Sequence, residues 1–477
     1  MLIPPGFVLS RCPQLEFYAG DGSYGDRKNF IQDALTPRSA ILLSTTTTTN
    51  SSNNNDTNSN GNNNKQQSPF QYFCPGENYN TDQIISVLRK YKDTLKHIKM
   101  FFPAPGSPFD YTDIFESIAM QNLRTLCCDI MDYSMVSIIT LLNTCHNTIQ
   151  EVQLQANDDS YILDAPALQS LQTLPQLRTL AIKPITFADE SSVVALLKRL
   201  PALENLILKQ NKPITLPKEA GPLLKNLRHL TLTRGYTWER DETQRECRLL
   251  KDSNLFVSLA QSGSKLESVK LKSCKDDGIS FLILDSLADF PLLKSLNVRG
   301  IDRYFNGERN EEKEEQHMLK LLNRFLYGPA NSINNNITAV PSTKIENLTL
   351  SQVSKLTYDM LHILSDFVNL QTLEVILSGG YGNDKNVSPV LPDGELLNVN
   401  LCGIMELLRK CKKLKRVNFQ PMISFGEHLP SYYLEEKLAE EQKDNFQLQK
   451  FIVQGPELPF YDKNLEVSVE IINIHYL

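Results

Sequence analysis

The sequence predicts an α/β solenoid of about 12 irregular repeats, with a curved parallel sheet on its concave face and helices on its convex face. Two observations predict it. A six-residue line of the form L-x-x-L-x-L recurs along the chain, and a short helical pattern ending in Leu, often with Pro, stands before most of the lines.

The lines run in order: LKHIKM at 95, with a weaker final position, then LRTLCC at 123, IQEVQL at 149, LRTLAI at 177, LENLIL at 203 and LRHLTL at 227. LESVKL at 266, LKSLNV at 293, IENLTL at 345, LQTLEV at 370, LKRVNF at 414 and LQKFIV at 448 complete the set. From Leu95 to Leu227 the starts lie 24 to 28 residues apart, and the later gaps are longer, as insertions would make them. Segments such as VVALLKRLPALENL, SLADFPLLKSL and ILSDFVNLQTL supply the helix, the tight connection and the strand of single units. Apolar residues at positions one, four and six of a line point inward and alternate residues point outward, while the preceding helix lays its own leucines over the same interior. No unit buries that face alone. Stacking encloses each Leu between neighbours, worth roughly 1.5–3 kcal/mol apiece.

The stretch LESVKLKSCKDDGISFLILDSLADFPLLKSLNV, residues 266–298, carries a resemblance. Leu266, Val269, Leu271, Cys274, Gly278, Ile279 and Leu282 sit where the cysteine-containing leucine-rich repeats of F-box substrate receptors place their leucines, their cysteine and their D-x-G turn. LSRCPQLEF and LRKCKKLKRV repeat the Cys-x-x-Leu element. The chain thus resembles this ribonuclease-inhibitor-like branch of the leucine-rich-repeat family over roughly residues 82–460. The resemblance implies protein–protein recognition, a substrate-receptor-like role in ubiquitin ligation and a cullin-type ligase complex as partner. No F-box stands before the repeats in this sequence. The opening inside a repeat-like stretch leads to the expectation that the solenoid's beginning is missing or unusual.

Five segments follow from these patterns: a repeat-like stretch at 1–40, a Thr/Asn-rich insertion at 41–70, repeats at 71–302, an insertion at 303–342 and C-terminal repeats with a cap at 343–477. Residues 44–68 have almost no apolar content to offset the entropy of ordering, which predicts disorder. The 303–342 insertion holds the acidic helical pattern NEEKEEQHMLKLLNRFLYG and an Asn-rich loop. Met318, Leu321, Leu322 and Phe325 form the inner stripe expected of that helix, a stripe suited to covering core.

Catalytic signals are absent or explained by the repeats. Gly20, Gly22 and Gly25 spell G-x-G-x-x-G after an apolar run, but the acidic residue a dinucleotide fold needs about 20 residues on is missing, with no acid between Asp33 and Asp56. LEVILSGGYGNDKN at 373–386 has the same layout, so both read as loops leaving repeat strands. Cys127-Cys128-Asp129 matches the Cys-x-Asp of a class of bacterial ligases, but it lies on a strand line, where Cys128 falls at a core position and Cys127 faces the other way. The seven histidines are scattered, and no H-E-x-x-H or G-x-S-x-G occurs. The chain is therefore read as no enzyme, with no cofactor and no metal; nucleotide-dependent activity and a scaffold unrelated to ubiquitin are the alternatives.

Composition agrees with a soluble folded chain: hydrophobic residues 41%, charged residues 22%, net charge −6 and pI near 5.8, which excludes a globally basic nucleic-acid binder. Nine cysteines at irregular spacing, with no signal peptide and no apolar run of membrane-spanning length, predict reduced thiols, a cytoplasmic or nuclear location and no membrane partner. One charge pattern stands out against the acidic total. Outward positions of the five lines from 177 to 299 carry Arg178, Lys183, Lys209, Arg228, His229, Lys270, Lys272, Lys294 and Arg299, against only Glu204 and Glu267. Strands about 4.8 Å apart merge these into a basic stripe. The expectation is that the stripe holds an acidic segment of a partner protein; the alternative is a solvated face. RNA is disfavoured, since no aromatics interleave the charges.

Overall fold

A computed structural model describes residues 17–19, 70–74, 81–101, 112–130, 135–156, 162–163, 168–210, 214, 216–234, 249, 254–273, 279–301, 304–305, 308–309, 311–328, 344–353, 356–377, 403–404, 406–420 and 450–453. The chain forms two compact units, Met1–Gln150 and Glu151–Leu477.

In the first unit four strands, β1 (Phe17–Ala19), β2 (Tyr72–Cys74), β3 (His97–Phe101) and β4 (Thr125–Ile130), pair in parallel in chain order. Helices α1 (Thr81–Tyr91), α2 (Thr112–Ser117) and α3 (Met135–Thr144) stand between and after them. Parallel neighbours require a crossover that carries the chain back, and α1 supplies it between β2 and β3 and α2 between β3 and β4. β3 and β4 fall on the lines at 95 and 123, and β1 lies in the repeat-like opening. β2 has no L-x-x-L signature. Its apolar positions are Phe70 and Phe73, 1% and 0% exposed, and Phe70 packs on Tyr91 of α1 with ring centroids 4.7 Å apart.

The second unit repeats the scheme with β5 (Glu151–Ala156), β7 (Thr179–Lys183), β9 (Asn205–Gln210), β10 (His229–Arg234), β11 (Ser268–Lys272), β12 (Ser295–Arg299), β15 (Asn347–Val353), β16 (Thr372–Leu377), β17 (Arg416–Gln420) and β18 (Lys450–Val453), adjacent in that order. All neighbours are parallel, and the register is continuous except for a shift between Ser351 and Val353 where β15 meets β16, so position four of the lines forms one buried row, as in Leu206, Leu230, Val269, Leu296 and Leu348. Two short pairs lie outside this sheet: β6 (Ile162–Leu163) with β8 (Thr186–Phe187), parallel, and β13 (Tyr304–Phe305) with β14 (Glu308–Arg309), antiparallel.

Helices α4 (Glu190–Lys198), α5 (Ala220–Leu223), α6 (Asn254–Gln261), α7 (Phe281–Leu287), α8 (Glu311–Tyr327) and α9 (Tyr358–Ser365) supply the second layer. Their ends are written locally. Asp189 caps α4 by accepting from the Ser192 N–H at 2.8 Å, and Thr357 caps α9. Gly263, at φ 69, ends α6 in the left-handed region, with the Gly263 and Ser264 N–H groups bonded back to Ala260 and Leu259. The tight connection before many of the lines is a recurring turn: Leu177 N–H to Leu174, Leu203 to Leu200, Leu227 to Leu224, Leu293 to Phe290 and Leu414 to Cys411.

α8 lies in the 303–342 stretch read as an insertion, and it packs in the helix layer against α7 and α9, where a repeat's own helix belongs. Its inner stripe is Met318, Leu321, Leu322 and Leu326; Phe325 is half-buried, one position off the expected face. Leu282, matched by resemblance to a core leucine, is 72% exposed on α7, while its neighbours Phe281, Ile283 and Leu284 fill the interior. Cys411 of the Cys-x-x-Leu element is 1% exposed, its thiol directed at the Leu364, Ser365 and Phe367 carbonyls at 3.4–3.6 Å. It closes the C-terminal end of α9, whose last carbonyls have no intrahelical partner.

Candidate functional site

The sheet face of the second unit turned away from the helices is formed by positions two, three, five and seven of the lines. All nine basic residues expected there lie on or immediately before strands β7 to β12. The structure sorts them by row.

Position two holds Arg178, Glu204, Arg228, Glu267, Lys294 and Glu346 on successive repeats. Each of these backbone N–H groups bonds to the carbonyl of the one before, at 2.7–2.9 Å. The charges alternate, and the side chains pair along the row. Arg178 lies 3.8 Å from Glu204, Arg228 3.5 Å from Glu267, and Lys294 3.2 Å from the other Glu267 oxygen. The Lys294 hydrogen bond, with the Arg228 and His229 charges, holds the Glu267 carboxyl below its ordinary range. Gln371 donates to Glu346 and Lys415 donates to Gln371, both at 3.1 Å, so the row continues as a polar ladder.

At position seven Arg299 donates to Glu374 at 3.3 Å. Glu374 also accepts from Thr349 at 3.2 Å and from Asn418 at 3.1 Å, which makes it the hub of a network over β12, β15, β16 and β17. The buried Asn297 Oδ1, Arg299 Nε and Asn418 Oδ1 around it have no hydrogen-bond partner. Neither Glu374 nor Glu346 was anticipated, because their lines lie beyond the window from 177 to 299; reading the same positions through every line reveals both.

The remaining cations differ. Lys183 is half-buried, and His229 is exposed at position three. Lys209, Lys270 and Lys272 are exposed and make no ion pair with any described residue. Thr233 lies between Lys209 and Lys272 in the register, and Thr231 pairs with Lys270. Lys209 and Lys272 are therefore two strand spacings apart, about 9.6 Å, and Lys270 lies about 6.6 Å along the strand from Lys272.

In the first unit Cys128 is 3% exposed, as a core position requires, but Cys127 on the opposite face is buried as well, at 7%, in a row with Cys74 and Lys99. Burial pushes the Cys145 and Cys411 thiols up to about 12 and raises that of Cys74, which leaves them protonated and unreactive at neutral pH. Among the described residues no group of three His, Cys, Asp or Glu side chains is placed to hold a metal ion. No helix among them is long and apolar enough to cross a membrane. The glycine motif at 20–25, the matching loop at 378–386, the stretch 44–68, and Cys274 and Gly278 lie outside the described residues.

Parallel strands adjacent in chain order, with helices between most of them among the described residues, give each unit the α/β leucine-rich-repeat fold. No protein-family model matches the chain, and no curated protein does. Solved structures similar to it include an internalin (inlF) of Listeria monocytogenes, 13% identical with a TM-score of 0.36, covering 74% of this chain and 76% of that one. TLR13 in complex with ssRNA13 is 13% identical with a TM-score of 0.38 over 82% of this chain, which spans 55% of that protein's chain. The complex of Rad7 and Elc1 in yeast is 11% identical, with a TM-score of 0.34 over 80% of this chain and 86% of that one.

Proposed function

We propose that the chain is a protein-recognition module without catalysis of its own, and that the sheet face of its second unit holds an acidic segment of a partner protein. The observation that carries this reading is the set Lys209, Lys270 and Lys272, exposed on the two strands that flank β10 with no carboxylate partner among the described residues, in a chain whose net charge is −6. Arg178, Arg228, Lys294 and Arg299 surround them as cations already paired, able to steer an anion rather than to bind it alone. A substrate-receptor role in ubiquitin ligation, within a cullin-type complex, extends this reading. Its support is the repeat type, with the Cys-x-x-Leu thiol of Cys411 closing a helix end. The five cysteines among the described residues are buried and in no disulfide, which supports a cytoplasmic or nuclear location.

A fluorescein-labelled Asp/Glu-rich peptide tests the reading by anisotropy. Wild type binds it in low salt and releases it as salt rises, and Lys270→Glu with Lys272→Glu abolishes binding while the melting curve is unchanged. Binding that survives the reversal overturns the proposal.

A further inference from the structure

We infer that the acidic group this face selects is a phosphate monoester, carried as phosphoserine or phosphothreonine on an extended segment of the partner; this rests on the acidic-segment reading above and sharpens it. The geometry points to phosphate over carboxylate because of which cations are left open. A guanidinium presents the planar fork that matches a carboxylate, whereas an ammonium is a point charge on a flexible four-carbon stem. Around these lysines the guanidiniums are already ion-paired: Arg178 with Glu204, Arg228 with Glu267 and Arg299 with Glu374, at 3.8, 3.5 and 3.3 Å. Arg234, at the end of β10, is 7% exposed and out of reach of a docked chain. The open cations that flank β10 at positions five and seven are ammoniums alone; the exposed imidazole of His229 lies at position three, and the exposed guanidinium of Arg416 lies on β17, four strands from β11.

Their arrangement fits a compact dianion. Lys209, Lys270 and Lys272 stand on β9 and β11 on either side of β10, which offers between them the half-buried Thr231 and Thr233, whose hydroxyls have no partner among the described residues. Flexible stems rooted about 6.6 and 9.6 Å apart let three ammoniums turn onto one group. A carboxylate offers one negative charge and two oxygens to three lysines. A phosphate monoester offers a charge near −2 and three strong acceptors, one for each ammonium, with the threonine hydroxyls as donors from the sheet below.

Three labelled peptides, identical except for Ser, Glu or phosphoserine at the centre of an acidic sequence, are titrated against the full chain. The phosphoserine peptide is expected to bind at least about tenfold tighter than the Glu peptide. Joint Lys209→Gln, Lys270→Gln and Lys272→Gln substitution removes that preference, Lys270→Gln alone reduces it, and Lys198→Gln on the helix layer keeps it. Melting curves of all variants match wild type, since each side chain is exposed. Equal affinity for the Glu and phosphoserine peptides overturns the phosphate inference and leaves the acidic-segment reading standing. Failure of every peptide to bind overturns both. Displacement of the phosphopeptide by inorganic phosphate as effectively as by unlabelled phosphopeptide overturns the peptide as the phosphate's source.

Discussion

Glu374 shows how a single residue decides what a repeat face can offer. Its two oxygens accept from Arg299, Thr349 and Asn418, so that carboxylate ties four strands of the second unit together and cancels the cation that lies next to the open lysines. Replacing it with Ala leaves a buried Asn418 and a half-buried guanidinium without their acceptor, a loss of about 1–3 kcal/mol in chemical denaturation. Arg299→Ala alone is expected to cost less, because Thr349 and Asn418 still satisfy the carboxylate. A double-mutant cycle measures the coupling, and additivity of the two substitutions would contradict the network. Glu406 is the second informative residue. It accepts from His362 at 3.0 Å, Lys410 at 2.8 Å and Tyr358 at 3.1 Å, and the His362 and Lys410 hydrogen bonds lower its carboxyl to about 2 from an ordinary 4.5. A carboxyl lowered by folding stabilises the fold fully above 4.5, and that contribution disappears as pH falls through about 2. Acidification from neutral pH toward 2 should therefore lower the Tm of wild type more than that of Glu406→Gln. Parallel pH profiles would remove this clamp from the account.

At the scale of elements, the close approach of α5 and α6 is the sharpest packing constraint. A Cβ on Gly221 would meet the Ser258 side chain well inside contact distance. Ser258 is held there by its hydroxyl bond to the Lys218 carbonyl at 2.6 Å, while Ser262 donates to the Gly221 carbonyl at 3.2 Å. Gly221→Ala is expected to destabilise by about 1–3 kcal/mol, with partial recovery on adding Ser258→Gly; a neutral Gly221→Ala in urea titration would contradict the packing. Elements were legible from sequence where leucines repeat, and every one of the twelve lines became a strand. The exceptions have physical causes. β2 was hidden because Phe70 and Phe73 fill the leucine positions, and aromatic rings bury as well as leucine without matching its pattern. In α8 Leu326, one residue beyond the expected stripe, is buried with Met318, Leu321 and Leu322, while Phe325 is half-buried. Leu282 shows the reverse: its type suits the core, but its place on the second residue of α7 faces out.

The two units each follow the logic of stacked repeats, in which every strand answers to its immediate neighbours and a row of side chains acts as one surface. That logic explains which part of the site could be read in advance. Line positions alone placed the nine basic residues on one face. Which of them are open depends on carboxylates a repeat or more away, and pairing across strands up to 75 residues apart, as between Arg299 and Glu374, is visible only in register. Register thus narrows a broad basic stripe to Lys209, Lys270 and Lys272.

Lysine acetylation footprinting by mass spectrometry tests that narrowing most directly. In the presence of the phosphoserine peptide, Lys209, Lys270 and Lys272 are predicted to become protected while Lys198 and Lys225 on the helix side react as before. Unchanged reactivity of those three lysines, or protection confined to the helix side, would contradict the account.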